Sequence, residues 1–237
     1  MTIQFPEQAP NCPRCSGSGW VQTERLRVEA CACQAGQRRG QRIVSASIPK
    51  RYAHCTLDTF VERTTELKNA KTRVQEFADL WPQSDEGRGL MLIGPCGVGK
   101  THLAVAALTE IIRTSKPGKL LFRNFQDLIQ EIQASFNSDQ VPSKSELLGP
   151  MLEADLLVLD ELGSQKPTTF VQDILYYVIN TRYNEERTTI FTTNYAETAE
   201  GKEETLADRI GARLRSRLYE MATRVPMNGS DYRRNKL

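Results

Sequence analysis

The sequence predicts an α/β fold, a five-stranded parallel sheet sandwiched between helices, preceded by a small cysteine-rich module. Three observations carry this prediction. The run GPCGVGKT, Gly94 to Thr101, lies between apolar Leu90–Ile93 and the apolar-periodic stretch His102–Ile112. The run DLLVLDE, Asp155 to Glu161, is continuously apolar and ends in two acids. Four of the six cysteines fall within the first 33 residues, as Cys12-Pro-Arg-Cys15 and Cys31-Ala-Cys33.

The first run has the spacing G-x-x-x-x-G-K-[ST] of a phosphate grip. Gly94 and Gly99 stand where the backbone must turn sharply and approach an anion closely, and Gly97 adds freedom within the loop. Backbone N–H groups of the loop that runs through Gly94, Pro95, Cys96, Gly97, Val98 and Gly99 (all but the proline have one), with the positive end of the helix that opens at Lys100, Thr101 and His102, would surround the phosphates. Lys100 would reach the β- and γ-phosphates, and the Thr101 hydroxyl would ligate Mg²⁺. A strand before the loop and a helix after it are what the motif needs, so the chain is expected to bind ATP or ADP.

The other elements follow in order. Thr56–Phe60 leads into a helical pattern over Leu67–Leu80, which Trp81-Pro82 ends before the polar loop Gln83–Gly89. Lys119–Phe125 reads as a second strand, Asp127–Phe136 as a helix, and Asn137–Ser145 as a polar, mobile connection. Asp155–Asp160 is a strand buried on both faces with its acids at the C-terminal tip, where such sheets place ligands. There Asp160 would hold Mg²⁺ and Glu161 would deprotonate the attacking water, while Asp155 opens the strand at the far end and is structural. Thr168–Asn184 reads as a helix and Thr188–Thr193 as a strand ending in Asn194, which by itself is a turn former. Thr205–Met221 reads as one long helix, and Thr223–Met227 as the last strand. In that helix Ile210, Leu214, Leu218 and Met221 form an apolar stripe, with Arg209, Arg213 and Arg217 in a parallel basic one. The basic stripe could be solvated or acid-paired; Arg213 and Arg217, Arg217 foremost, could instead reach a neighbouring subunit's γ-phosphate.

Composition narrows the setting. Charged residues make up 25% of 237 and mean hydropathy is −0.46, as in ordinary water-soluble proteins. No apolar run approaches the roughly 18 residues a membrane helix needs. The N-terminus lacks the basic and apolar regions of a signal peptide, so a cytoplasmic chain with reduced cysteines is expected. Residues 1–51 hold eight Lys/Arg against three Asp/Glu, and the stretch Gln37–Arg51 has five basic residues and no acid. That stretch suits either a solvated face or a nucleic-acid backbone.

Cys12, Cys15, Cys31 and Cys33 flank a glycine-rich turn and the short hairpin expected over Gln22–Ala30. Tight pairs joined by a hairpin suit tetrahedral Zn²⁺ with Zn–S distances of about 2.3 Å. About 40 residues cannot fold on an apolar core alone, so metal would stabilise the module; disulfides or idle thiols are the alternatives. Cys55 and Cys96 read as lone thiols and His54 as a packing residue.

With these elements in order, the chain resembles the AAA+ ATPases. Within them it resembles the bacterial helicase loaders of the DnaC/DnaI type and the closely similar IstB transposition ATPases. The resemblance covers about residues 48 to 237 and rests on GPCGVGKTHLA, LLVLDELG, the strand ending Thr192-Thr193-Asn194, and Arg213-Leu-Arg-Ser-Arg217-Leu. It implies Walker A at Gly94–Thr101, Walker B at Asp160/Glu161, sensor 1 at Asn194, and a trans-acting arginine finger at Arg217 or, less favoured, Arg213. The ending Gly229-Ser230-Asp231-Tyr232-Arg233 is similar to the Tyr-Arg ending of the group. The chain ends soon after the last predicted strand, which implies that no C-terminal helical lid is present. A zinc-bearing N-terminal module is a DnaI-like trait and favours a loader. The implied organisation is a zinc-binding, partner-gripping module over 1–45 and an AAA+ domain over 46–237. The implied partners are a hexameric DnaB-like replicative helicase, single-stranded DNA and further copies of the chain, with no membrane. The alternative is an IstB-like regulator that binds DNA and directs a transposase; a scaffold with little turnover is a third reading. Tyr52 and Phe60 are the adenine candidates.

Overall fold

In the computed structural model residues 12–22, 27–82, 88–135, 143–198 and 204–235 are described. The turn between the hairpin strands and most of the loops predicted at Gln83–Gly89 and Asn137–Ser145 lie outside the described residues.

Five strands form the central sheet: β3 (Gly89–Ile93), β4 (Leu120–Asn124), β5 (Leu156–Asp160), β6 (Thr188–Thr193) and β7 (Ala222–Pro226). Their order is β4-β5-β6-β3-β7, and every pairing is parallel. Alternation along each strand divides the core in two. Leu90, Leu92, Leu156, Val158 and Ile190 face one apolar layer. Met91, Leu157, Leu159 and Phe191 face the other. Helices α2 (Thr65–Leu80) and α3 (Lys100–Arg113) cover the first face. Helices α4 (Phe125–Ser135), α5 (Lys144–Glu153), α6 (Thr169–Asn184), α7 (Leu206–Ile210) and α8 (Ala212–Met221) cover the second. This is the αβα sandwich expected from the sequence.

Side-chain caps set several helix starts, each satisfying backbone N–H groups that have no partner within the helix. Thr64 accepts from Leu67 N ahead of α2, and Thr168 from Val171 N ahead of α6. Ser143 and Glu146 make a reciprocal capping box that starts α5. That helix was unforeseen, because its capping serine lies in the stretch read as a polar connection.

The single helix expected over Thr205–Met221 is two. Thr205 and Asp208 cap the short α7, and the chain then breaks at Gly211, whose φ of +86° is costly for any residue with a Cβ. The apolar stripe survives, since Ile210, Leu214, Leu218 and Met221 are all buried. The basic stripe does not. Arg209 turns inward and donates to the carbonyls of Gly163, Ser164 and Gln165, with Glu204 as its ion pair.

Ahead of the sheet, β1 (Trp20–Gln22) and β2 (Val28–Ala30) form the expected antiparallel hairpin. A helix not foreseen follows, α1 (Ala32–Ser45), with Cys31 as its N-cap. It packs on α3 and β4, and Ile43 and Ile48 pack on the first apolar layer.

Candidate functional site

The cleft lies at the C-terminal ends of β3, β5 and β6. Its volume is about 410 Å³, and the phosphate loop, Glu161, Thr192 and Asn194 are among the residues that line it. The loop leaves β3, and Gly99 forms the N-cap of α3 with φ of +101°, a left-handed conformation suited to glycine. Lys100 is 7% exposed, and its ammonium donates to the carbonyls of Gly94 (2.8 Å) and Pro95 (2.7 Å). Burial pushes its pKa down, which favours any ligand that returns negative charge to it.

Asp160, fully buried at the tip of β5, accepts from two hydroxyls. Thr101 Oγ1 donates to it at 2.9 Å and Thr192 Oγ1 at 2.6 Å. Burial pushes its pKa up, and the two hydroxyls oppose that. The sequence paired Thr101 with Asp160 across 59 positions, and the geometry brings them together. Thr192 was not foreseen as part of the site; its signal was a hydroxyl on a buried strand beside Asp160.

Glu161 follows in a left-handed conformation, φ +59°, that turns its side chain out of the strand direction and into the cleft. Its N–H donates to Thr192 Oγ1 (2.9 Å), and its carboxylate accepts from Asn124 Nδ2 (3.1 Å) at the end of β4. Asn124 is the second residue sequence reasoning missed. Asn194 is exposed at the end of β6 and lines the cleft.

Part of the cleft wall is aromatic. Tyr52, Phe60 and His102 line it, together with Tyr232 from the C-terminal tail. His102 Nε2 donates to the Thr56 carbonyl at 2.9 Å, and its ring sits edge-on to Phe60, centroids 5.4 Å apart. Burial lowers the pKa of His102, so the neutral ring is favoured. Tyr232 N donates to Gly97 O (3.0 Å), and Arg63 stacks on the Tyr232 ring at 4.6 Å. The tail thereby rests on the phosphate loop. His54 also lines the cleft, Cys55 is buried, and Cys96 is exposed within the loop.

Neither Arg213 nor Arg217 lines this cleft. Arg213 is exposed on α8. Arg217 lies over Tyr176 at 4.9 Å and Tyr183 at 5.7 Å, with Nη1 buried and without a hydrogen-bond partner. Asp155, at the opposite end of β5, accepts from Lys119 N and faces Arg187, a structural role.

The four N-terminal cysteines converge, with all sulfurs within 4.8 Å of one another. Cys12 and Cys31 Sγ are 3.7 Å apart, and Cys15 and Cys33 Sγ 3.4 Å. A tetrahedron with Zn–S of about 2.3 Å has edges of about 3.8 Å, so the residues fit the ion. Their electrostatics agree. Backbone N–H groups of Arg14 and Cys15 pull Cys12 down to about 6, whereas neighbouring Cys15 and Cys31 push Cys33 up to about 12. Ionised Cys12 thus opposes ionisation of Cys33, and a cation among the four sulfurs would let all of them be thiolates.

Comparison with known proteins agrees with this geometry. A solved structure of the DnaC helicase loader superposes with a TM-score of 0.65 at 31% identity, covering 76% of this chain and 100% of that one. The DnaC replicative helicase loader of Buchnera aphidicola subsp. Acyrthosiphon pisum is 25% identical over 202 residues, 83% of this chain and 78% of that protein. An insertion sequence ATP-binding protein of Sinorhizobium fredii is 28% identical over 195 residues, 81% of this chain and 60% of that protein. The family model for IstB-like ATP binding proteins matches residues 24–237, so with its phosphate loop, buried Asp160 and parallel sheet the chain belongs to that family.

Proposed function

We propose that this protein is an ATP-dependent loader of a replicative ring helicase onto single-stranded DNA. The observation that carries the nucleotide chemistry is the junction of Thr101, Asp160 and Glu161 at the mouth of the phosphate loop. Lys100 would leave its two carbonyls for the β- and γ-phosphates. Thr101 and Asp160 would hold Mg²⁺, which when bound neutralises phosphate charge and orients the γ-phosphate. Glu161 takes the proton of the attacking water, and Asn194 hydrogen-bonds near that water. The bond from Asn124 holds the Glu161 carboxylate until it is needed. Tyr52 and Phe60 contact the adenine. Cys12, Cys15, Cys31 and Cys33 hold Zn²⁺ and shape residues 1–45 to grip the helicase.

A guanidinium from α8 of a second copy completes the site in an oligomer formed on ATP and DNA. Arg217 is held by Tyr176 and Tyr183, whereas Arg213 is exposed, so the preference shifts to Arg213 as the reaching residue, with Arg217 bracing the helix. Hydrolysis loosens the seam between copies and releases the helicase.

The partner assignment is supported by the similarity to DnaC at 31% identity and by the cysteine cluster. The second reading, an IstB-like regulator that directs a transposase, is supported by the family model and the insertion-sequence relative. A pull-down decides between them: retention of a replicative helicase supports the first, retention of a transposase the second. Steady-state phosphate release with single-stranded DNA tests the enzyme. Glu161→Gln is expected to bind ATP normally and lose turnover by about two orders of magnitude. Arg213→Ala is expected to keep binding and lose DNA-stimulated turnover. Negligible turnover by the unaltered chain, with and without single-stranded DNA, would leave a nucleotide-dependent scaffold, whereas normal turnover in both variants would overturn the roles given to Glu161 and Arg213.

A further inference from the structure

We infer that the four-thiolate site and the nucleotide cleft are thermodynamically linked through helix α1 and edge strand β4, each site strengthening the other when filled. The inference rests on the readings of the cysteines as metal ligands and of the cleft as an ATP site.

The connection is continuous. Cys31 caps α1 and Cys33 lies in its first turn, so half of the cysteine cluster belongs to this helix. Over 14 residues α1 spans about 21 Å. Its far end is fixed to the core at three points. Arg42 Nη2 donates to Gly118 O at 3.3 Å, Ile43 packs on the first apolar layer, and fully buried Ala46 offers its carbonyl to Phe122 N at 2.8 Å. The last contact matters most. Strand β4 is an edge of the sheet, and Ala46 satisfies an N–H on its open side.

From that point two routes reach the cleft. Along β4, Asn124 is two residues beyond Phe122 and holds Glu161. Along the chain, Ala46 is followed by the Lys50–Tyr52 turn, which brings Arg51 and Tyr52 into the cleft wall. Tyr52 closes the loop by packing on Phe122, centroids 6.0 Å apart. The segment that carries two cysteines is therefore also the segment that sets one cleft wall and one strand edge.

The N-terminus of α1 has no side-chain cap, so ordering that end depends on the cysteine cluster. A metal-ordered α1 keeps the Lys50–Tyr52 turn and β4 in their binding positions, and a loosened α1 releases both. Linkage is reciprocal, so nucleotide in the cleft must tighten metal binding by the same factor.

The test uses the full chain loaded with zinc. Affinity for a fluorescent ATP analogue is measured before and after zinc is stripped with a chelator. Zinc affinity is measured by chelator competition with and without a saturating non-hydrolysable ATP analogue and Mg²⁺. Stripping is expected to weaken nucleotide binding about tenfold, with a matching factor in zinc affinity. Arg42→Ala/Ile43→Ala, which removes two of the three points that hold α1 to the core and leaves both sites complete, is expected to bind both ligands with the factor reduced towards one. Equal nucleotide affinity in loaded and stripped protein, with the sheet still melting cooperatively, overturns the linkage, as does failure of the chain to bind zinc. Failure to bind nucleotide in either state overturns the functional reading itself, and the two failures are distinct.

Discussion

The hairpin that carries the cysteines and the sheet that carries the phosphate loop are held by opposite means. Strands β1 and β2 are three residues each, and Trp20 and Val28 on them are 49% and 63% exposed. Strands β5 and β6 are buried along their whole length, between two apolar layers. Burying a Leu or Ile side chain contributes about 1.5–3 kcal/mol, and the sheet does so many times over. The hairpin cannot, so on the proposed reading its order rests on a cation held among its four thiols. One region is folded before its ligand arrives, and the other is completed by it. A rigid nucleotide site joined to a metal-dependent arm would suit the loader proposed above, which holds a partner and lets it go.

The sharpest way to break this contrast is to remove the metal. Chelation, or Cys12→Ser with Cys15→Ser, is expected to remove stabilisation on the order of 10 kcal/mol from the hairpin while the sheet stays folded. Amide exchange resolves the two regions, and equal loss of protection in both would abolish the distinction.

Next in size is the core itself. Arg182 is 1% exposed, and its guanidinium donates to the carbonyls of Met151, Ala154 and Thr188 and to Thr189 Oγ1. It ties α5, α6 and β6 together. Arg182→Ala strands these acceptors and is expected to cost about 3–5 kcal/mol in urea unfolding, with zinc content unchanged.

Lys100→Ala should sharpen the contrast from the other side. Nucleotide affinity is expected to fall by about two orders of magnitude, about 2.7 kcal/mol, with both regions still folded. Titration with a fluorescent ATP analogue checks it.

The smallest effect concerns acid. His102 has its pKa lowered by burial, so the unfolded chain takes up its proton first as pH falls. Its contribution to stability is present above the unfolded value near 6.5 and is lost as pH drops through the lower folded value. Melting temperature should decline over that window in the sheet domain, and His102→Gln should flatten the decline. An unchanged slope in the variant would assign the acid sensitivity elsewhere.

Much of this was readable residue by residue. The phosphate loop, Asp160 and Glu161 at the tip of a buried strand, and the paired cysteines are local patterns, and local spacing reports local geometry. Asn124 and Thr192 escaped notice because a polar residue near a strand end has many uses, and only register selects one. Their roles depend on β4 and β6 lying on either side of β5. The break at Gly211 escaped because the apolar stripe runs through it with helical spacing. The chain leaves that spacing only in backbone angle, where glycine has a freedom that side-chain patterning does not record.

The amino-acid sequence alone therefore determined the five strands, the anion grip and the pairing of the cysteines, since each is written within a few neighbouring positions. Tertiary structure alone decided which strands touch, which arginines are buried or free, and that a helix beginning in the cysteine cluster ends against the edge of the nucleotide-binding sheet. Those outcomes follow from burying two apolar layers at once and from pairing most of the buried polar groups, conditions that only the assembled chain can meet.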